Sequence, residues 1–175
     1  MNLRHEILLR LSQLLSVTCG LFVCAFLCAW LAGCATGGGA RSGESLALHL
    51  LHSPAAINLD DDPGPDGFAL RVFATTARSS KGSVLPAGDL EILMFDGAIR
   101  EGAPLPSKPR KLWTFSAADL RAHQSQSTLG TAYEFLLRWG ADKPAGGRIT
   151  LLARHRDRQN RLTHSTTSIL AVAQP

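Results

Sequence analysis

A chain of 175 residues is sized for one domain with at most an appendage. Its formal net charge of +4 is too mild for a nucleic-acid footprint, which needs a clustered and far larger excess. All four cysteines, Cys19, Cys24, Cys28 and Cys34, lie near the N-terminus, so the rest of the chain has no thiol for a disulfide, a cysteine metal site or redox chemistry.

Residues 1–13 carry Arg4 and Arg10, and LLSVTCGLFVCAFLCAWLAG (14–33) follows without a charge. A basic flank before an apolar run is the pattern of a secretory signal. About 20 apolar residues also suffice to span a bilayer as a helix, so an uncleaved transmembrane anchor is the alternative. The run ends in Leu31-Ala32-Gly33-Cys34, which resembles the bacterial lipobox. That resemblance implies a helical signal peptide over 1–33, cleavage before Cys34, and lipid attached to the Cys34 sulfur. Ala35 rather than Asp follows, which by the same resemblance favours an outer-membrane anchor with the domain facing the periplasm. Removing Arg4, Arg10 and Glu6 with the signal takes the net charge from +4 to +3. Residues 34–44 are rich in Gly and Ser and read as a flexible tether with an end-to-end distance of about 18 Å.

From residue 45 the apolar pattern has period two. LALHLLH (46–52) places Leu46, Leu48 and Leu50 on one face, and the acidic DDDPGPDG (60–67) follows. In GFALRVFATT (67–76), Phe68, Leu70, Val72 and Ala74 alternate with Ala69, Arg71 and Phe73. SSKG and LPAG read as turns before DLEILMFD (89–96), which sets Leu90, Ile92 and Met94 against Glu91, Leu93 and Phe95. DGAIREG and APLPSKP are turn-forming, and KLWTF (111–115) is a short strand. SAADLRAHQ (116–124) predicts the helix, with Ser116 as its cap and Asp119 three residues on. TAYEFLLRW (131–139) aligns Tyr133, Phe135, Leu137 and Trp139, while RITLLARHRD (148–157) aligns Ile149, Leu151 and Ala153. RLTHSTTSILAV (161–172) closes the series. Such alternation marks half-buried strands, and short spacings favour antiparallel hairpins. Seven strands and one short connecting helix predict an all-β chain, a single antiparallel β-sandwich of immunoglobulin-like or transthyretin-like type over 45–175. Trp113, Phe115, Tyr133, Phe135 and Trp139 are its expected aromatic core.

Few residues carry a chemical signal. Counted from Asp60, an EF-hand loop fails, because Gly64 and Pro65 stand at positions 5 and 6 and Arg71 at position 12. A looser calcium site on Asp60, Asp62 and Asp66 is the alternative to a plain turn, and the Pro and Gly content favours the turn. His49 and His52 fall on opposite strand faces, whereas His155 and His164 are expected to meet across the last hairpin without a third ligand. Ser79, Ser80 and Ser125 lack the tight turn that presents a nucleophile, Asp96 and Glu101 flank a turn rather than a cleft, and KPAGGR lacks a phosphate-loop ending. No catalytic residue, metal or cofactor is therefore assigned. Arg154, Arg156 and Arg158 share one parity and form a basic stripe, with Arg161 beyond, that is either a solvated face or a partner-binding surface.

NLDDDPGPDGFALRVF, LWTFSAADL, YEFLLRW and GGRITLLARHRDRQNRL together resemble uncharacterised envelope proteins of planctomycete and verrucomicrobial type, a resemblance that transfers no functional residue. The anchor and the expected fold are also similar to transthyretin-like lipoproteins of type VI secretion systems, without a residue-level match. The expectation is a non-enzymatic envelope lipoprotein, bound to the membrane through lipid and serving as a binding or scaffolding module for an envelope partner.

Overall fold

The computed structural model describes residues 45–172. The signal segment, Cys34 and the tether lie outside the described residues. The elements run β1 (Leu46–His52), β2 (Gly67–Thr76), β3 (Ser79–Ser83), β4 (Gly88–Asp96), β5 (Lys111–Phe115), α1 (Asp119–Ala122), β6 (Gln124–Ser127), β7 (Gly130–Arg138), a 3-10 turn (Gly140–Asp142), β8 (Arg148–Asp157), β9 (Leu162–His164) and β10 (Ser168–Ala171). They form an all-β sandwich. The first sheet has the order β1-β2-β3-β7-β6, with β2 also paired to β7; the second has the order β10-β8-β4-β5, with β9 also on β8.

The period-two pattern explains the core. Phe68, Leu70 and Val72 of β2 meet Leu137, Phe135 and Tyr133 of β7 in register, and all point inward. From the other sheet come Leu90, Ile92 and Met94 of β4 with Ile149, Leu151 and Ala153 of β8. Each large apolar side chain buried there contributes about 1.5–3 kcal/mol. Phe68 stacks edge-on to Trp113 at 5.7 Å, and Phe115 lies 4.4 Å from Phe135. Tyr133 spends its polar end on the chain, its hydroxyl accepting the Leu85 N–H at 3.0 Å.

One seam of the sandwich is stitched. Leu48 bridges Ser165, Ala55 bridges Ala171, and the Ala56 N–H donates to the Ala171 carbonyl at 2.8 Å. His52 Nδ1 lies 2.5 Å from its neighbour's carbonyl at Ser53 and Nε2 lies 2.7 Å from Ser168 Oγ. A carbonyl only accepts, so Nδ1 donates to it, and in the neutral ring Nε2 receives the serine hydroxyl.

Four expectations are corrected. SSKG is not a turn but part of β3, paired to the end of β2 through a register shift and touching β7 in parallel at Gly82–Gly130. The helix is shorter than SAADLRAHQ: Ser116 and Asp119 do exchange reciprocal hydrogen bonds, but Gln124 already belongs to β6, which pairs with β7. The closing strand is two, β9 and β10, on the same side of β8. Finally, His155 pairs with Thr163 and Arg154 with His164, so the two histidines do not face each other. His155 points into the core and is 1% exposed, whereas His164 is on the opposite face.

Candidate functional site

The outer face of the second sheet is not a plain solvent face. In register, Leu112 of β5, Leu93 of β4 and Leu152 of β8 form one row, and Glu91 and Arg154 form the next, with His164 beyond. Leu93, Phe95 and Leu152 are nearly buried, with Ile99 packed against them. What covers them is the connection 97–110 between β4 and β5. It is far longer than a hairpin turn, and loops of that length in compact domains are commonly functional.

The connection is fastened at both ends. Thr150, fully buried on β8, reaches out to it: its Oγ1 donates to the Gly97 carbonyl at 2.8 Å and accepts the Ile99 N–H at 2.9 Å. At the far end the Arg110 N–H donates to the Met94 carbonyl at 2.7 Å, and the Arg110 guanidinium meets Asp96 at 2.6 Å. That hydrogen bond holds the Asp96 carboxyl below its ordinary range, burial opposing it, and the Ala145 N–H adds a second donor. Between these fastenings, residues 103–108 are exposed.

Beneath the arch lies a groove of about 550 Å³. Leu93, Leu112 and Leu152 line its floor, Leu105, Pro106 and Pro109 its loop side, and Ser165, Thr166 and Thr167 a polar end. Arg154 and His164 also line it, as does Glu101. Arg154 donates through Nε to Glu91, both side chains being largely buried at 25% and 12% exposure. The arginine therefore closes the groove with its charge already neutralised.

The other residues singled out from the sequence fall elsewhere. Asp66 Oδ1 accepts the Leu59 N–H at 2.6 Å, and Asp60 Oδ1 accepts the Asp62 N–H at 3.0 Å. Arg138 sits 3.9 Å from Asp60 and 3.5 Å from Asp66 and donates to the Leu59 carbonyl, so these two carboxylates face a guanidinium. Among the described residues, no group of three or more His, Asp or Glu side chains is arranged to hold a metal. Arg156 shares the outer face of β8 with Arg154 and donates to Asn160 at 2.6 Å, while Arg158 stands in the turn after the strand. Arg161 pairs with Asp157 at 2.6 Å. His49 donates to or accepts from Thr75 at 2.8 Å. Ser79 and Ser80 lie on β3, and Ser125 on β6 donates to Glu134 at 2.7 Å.

A second hollow, of about 570 Å³, lies on the outer face of the first sheet over Ala69, between Leu51 and Leu136. Among the described residues it is lined by β1, β2 and β7 with Ser53 just beyond β1, and the Arg71–Glu134 ion pair, 2.6 Å long, is half exposed at its side. The roofed groove escaped the reading by period alone, although its signal was present: Leu93, Phe95 and Leu152 are apolar at the outward parity, which in an antiparallel sheet means that something covers both faces. No protein-family model, curated protein or solved structure matches this chain.

Proposed function

We propose that the chain is a membrane-anchored envelope lipoprotein whose sandwich is a binding module, with the groove under 97–110 as its docking site. One observation carries the binding part: a connection pinned at both ends over the outer face of a sheet, leaving between them an apolar floor with exposed walls. The carboxylates of Asp60, Asp66 and Asp157 are met by Arg138, Arg161 and backbone donors, which supports a structural role for them. LAGC after an uncharged run supports the anchor. No chemistry is assigned to the groove, since its ionisable members are one arginine already paired to Glu91, one carboxylate and one imidazole on separate elements. His52 and Ser168 have nucleophile-and-base spacing, but Ser168 borders neither the groove nor the hollow, and the pair serves the seam.

Proximity labelling tests this. An engineered peroxidase fused after residue 175, supplied with biotin-phenol and hydrogen peroxide, is compared in wild type, Leu112→Glu and Leu136→Glu, both substituted positions being well exposed at 45% and 68%. A discrete labelled protein that disappears in Leu112→Glu and persists in Leu136→Glu is expected. An identical labelled set in all three would refute docking at the groove.

A further inference from the structure

We infer that one end of the sandwich binds an anionic lipid surface directly; this rests on the membrane-anchored part of the proposed function and not on the groove. Several stretches meet at that end. β1 begins beside the close of β2, with Leu46 opposite Thr76, and the β2–β3 turn follows at 77–78. Residues 84–87 cross from β3 to the start of β4, where Gly88 lies opposite Asp157 of β8. The Gly82 N–H donates to the Leu129 carbonyl at 2.7 Å, which brings in the β6–β7 turn. The β8–β9 turn at 158–161 completes the set, and the parallel bridge from Leu48 to Ser165 lays the start of β1 against β9.

The side chains at this end combine positive charge with exposed apolar surface. Within 76–89, 127–131 and 156–162, Arg78, Lys81, Arg156, Arg158 and Arg161 stand against only Asp89 and Asp157. Lys81 and Arg158 are exposed, and among the described residues their side chains make no hydrogen bond or ion pair. Val84, Leu129 and Leu162 are 59%, 60% and 44% exposed in the same stretches. Apolar side chains entering the headgroup boundary while cations meet the phosphates is how a protein surface holds to anionic lipid. The far end has the opposite sign: residues 53–66 carry Asp60, Asp61, Asp62 and Asp66 without a Lys or Arg, so an anionic surface repels them. Lipid is favoured over an acidic protein by where the domain begins. Ser45, from which the chain leads back to Cys34, precedes β1 at the basic end. With Cys34 as anchor and a tether of about 18 Å, this end meets the bilayer at high effective concentration. β4 runs away from it for nine residues, about 30 Å at the usual rise, before the arch over the groove begins. Binding at the basic end thus keeps the groove clear of the lipid.

The test uses the full chain in lipid nanodiscs, with leucine and valine methyls isotopically labelled and a gadolinium-chelate headgroup lipid as the relaxation probe. Discs of phosphatidylglycerol and phosphatidylcholine in equal parts are compared with discs of phosphatidylcholine alone. In the mixed discs the methyls of Val84, Leu129 and Leu162 should relax at least about threefold faster than those of Leu105 and Leu136, since each cation near such a surface strengthens binding about fivefold. The contrast should fall by about half or more in neutral discs, and equally in mixed discs with joint Lys81→Glu and Arg158→Glu. Joint Lys108→Glu and Lys143→Glu, the same charge change at the far end, should leave it in place. The methyls of Leu93 and Leu152 serve as the control for folding. Equal contrast in mixed and neutral discs would overturn the inference and leave the basic end to an acidic protein. Relaxation as fast at Leu105 or Leu136 as at Leu129 would overturn it too. Mass spectrometry of the same sample decides the anchor separately: an intact Met1 removes cleavage at Cys34, while the apolar run still holds the chain in the disc and the methyl contrast still decides the lipid binding.

Discussion

Burial lowers the affinity of the His155 imidazole for a proton, because its ring lies on the inner face of β8, 1% exposed, where the charged form loses its water. The Pro86 carbonyl, 3.1 Å from Nε2, and the Asp157 and Asp89 carboxylates act the other way without reversing it. The folded state thus binds fewer protons than the unfolded chain, whose histidine titrates near 6.5. Stability should therefore be flat above that value, fall as pH drops below it, and level off once the folded imidazole is also protonated. Urea midpoints at about pH 8 and about pH 5 should differ less in His155→Gln, which keeps a donor for Pro86 but cannot titrate. Arg154 makes a second residue-scale case. Arg154→Leu strands the Glu91 carboxylate at 12% exposure and should cost about 1–3 kcal/mol, and adding Glu91→Leu should recover most of it. A double variant as unstable as the single would show that the guanidinium packs rather than pairs.

Among the elements, β3 depends on two glycines. A Cβ on Gly130 would stand 2.4 Å from the Gly82 carbonyl oxygen, and its φ of +96° already lies in the left-handed region. Gly130→Ala should cost at least about 1–3 kcal/mol, read as a lower urea midpoint at unchanged slope. The contact explains why SSKG looked like a turn. Ser79–Ser83 has no apolar member, so β3 is held by backbone pairing with β2 and by close approach to β7, and neither leaves a periodic trace. β6, QSQS, is invisible for the same reason. The long strands were legible because one parity carries the core, as Phe68, Leu70 and Val72 do on β2. The Ser116–Asp119 hydrogen bonds could be anticipated, but Ser116 is not the cap: the helix starts after Ala118 and ends within a turn. The groove was only half legible. Its floor stood in the sequence as outward leucines, but the arch over it depends on a buried Thr150 gripping residues 97 and 99, a distant pairing that local pattern cannot register.

At the scale of the whole molecule, the described sandwich contains no cysteine, so reductant should leave its melting temperature unchanged. Chelator should do the same, since Asp60 and Asp66 already face the Arg138 guanidinium; a rise of several degrees on adding millimolar calcium, lost in Asp62→Ala, would show a bound ion instead. If Cys34 is the lipid anchor, Cys34→Ser should leave the protein unprocessed, and an intact Met1 on the wild-type protein by mass spectrometry would contradict cleavage. The binding role is tested most directly by placing a photo-crosslinking amino acid at Leu105 on the arch or at Leu136 on the opposite sheet, in intact cells. A single adduct of defined mass at position 105, absent at 136 and lost when Leu112→Glu is added, is the expected result. Equal adducts at both positions, or none at 105, would contradict a partner docked in the groove.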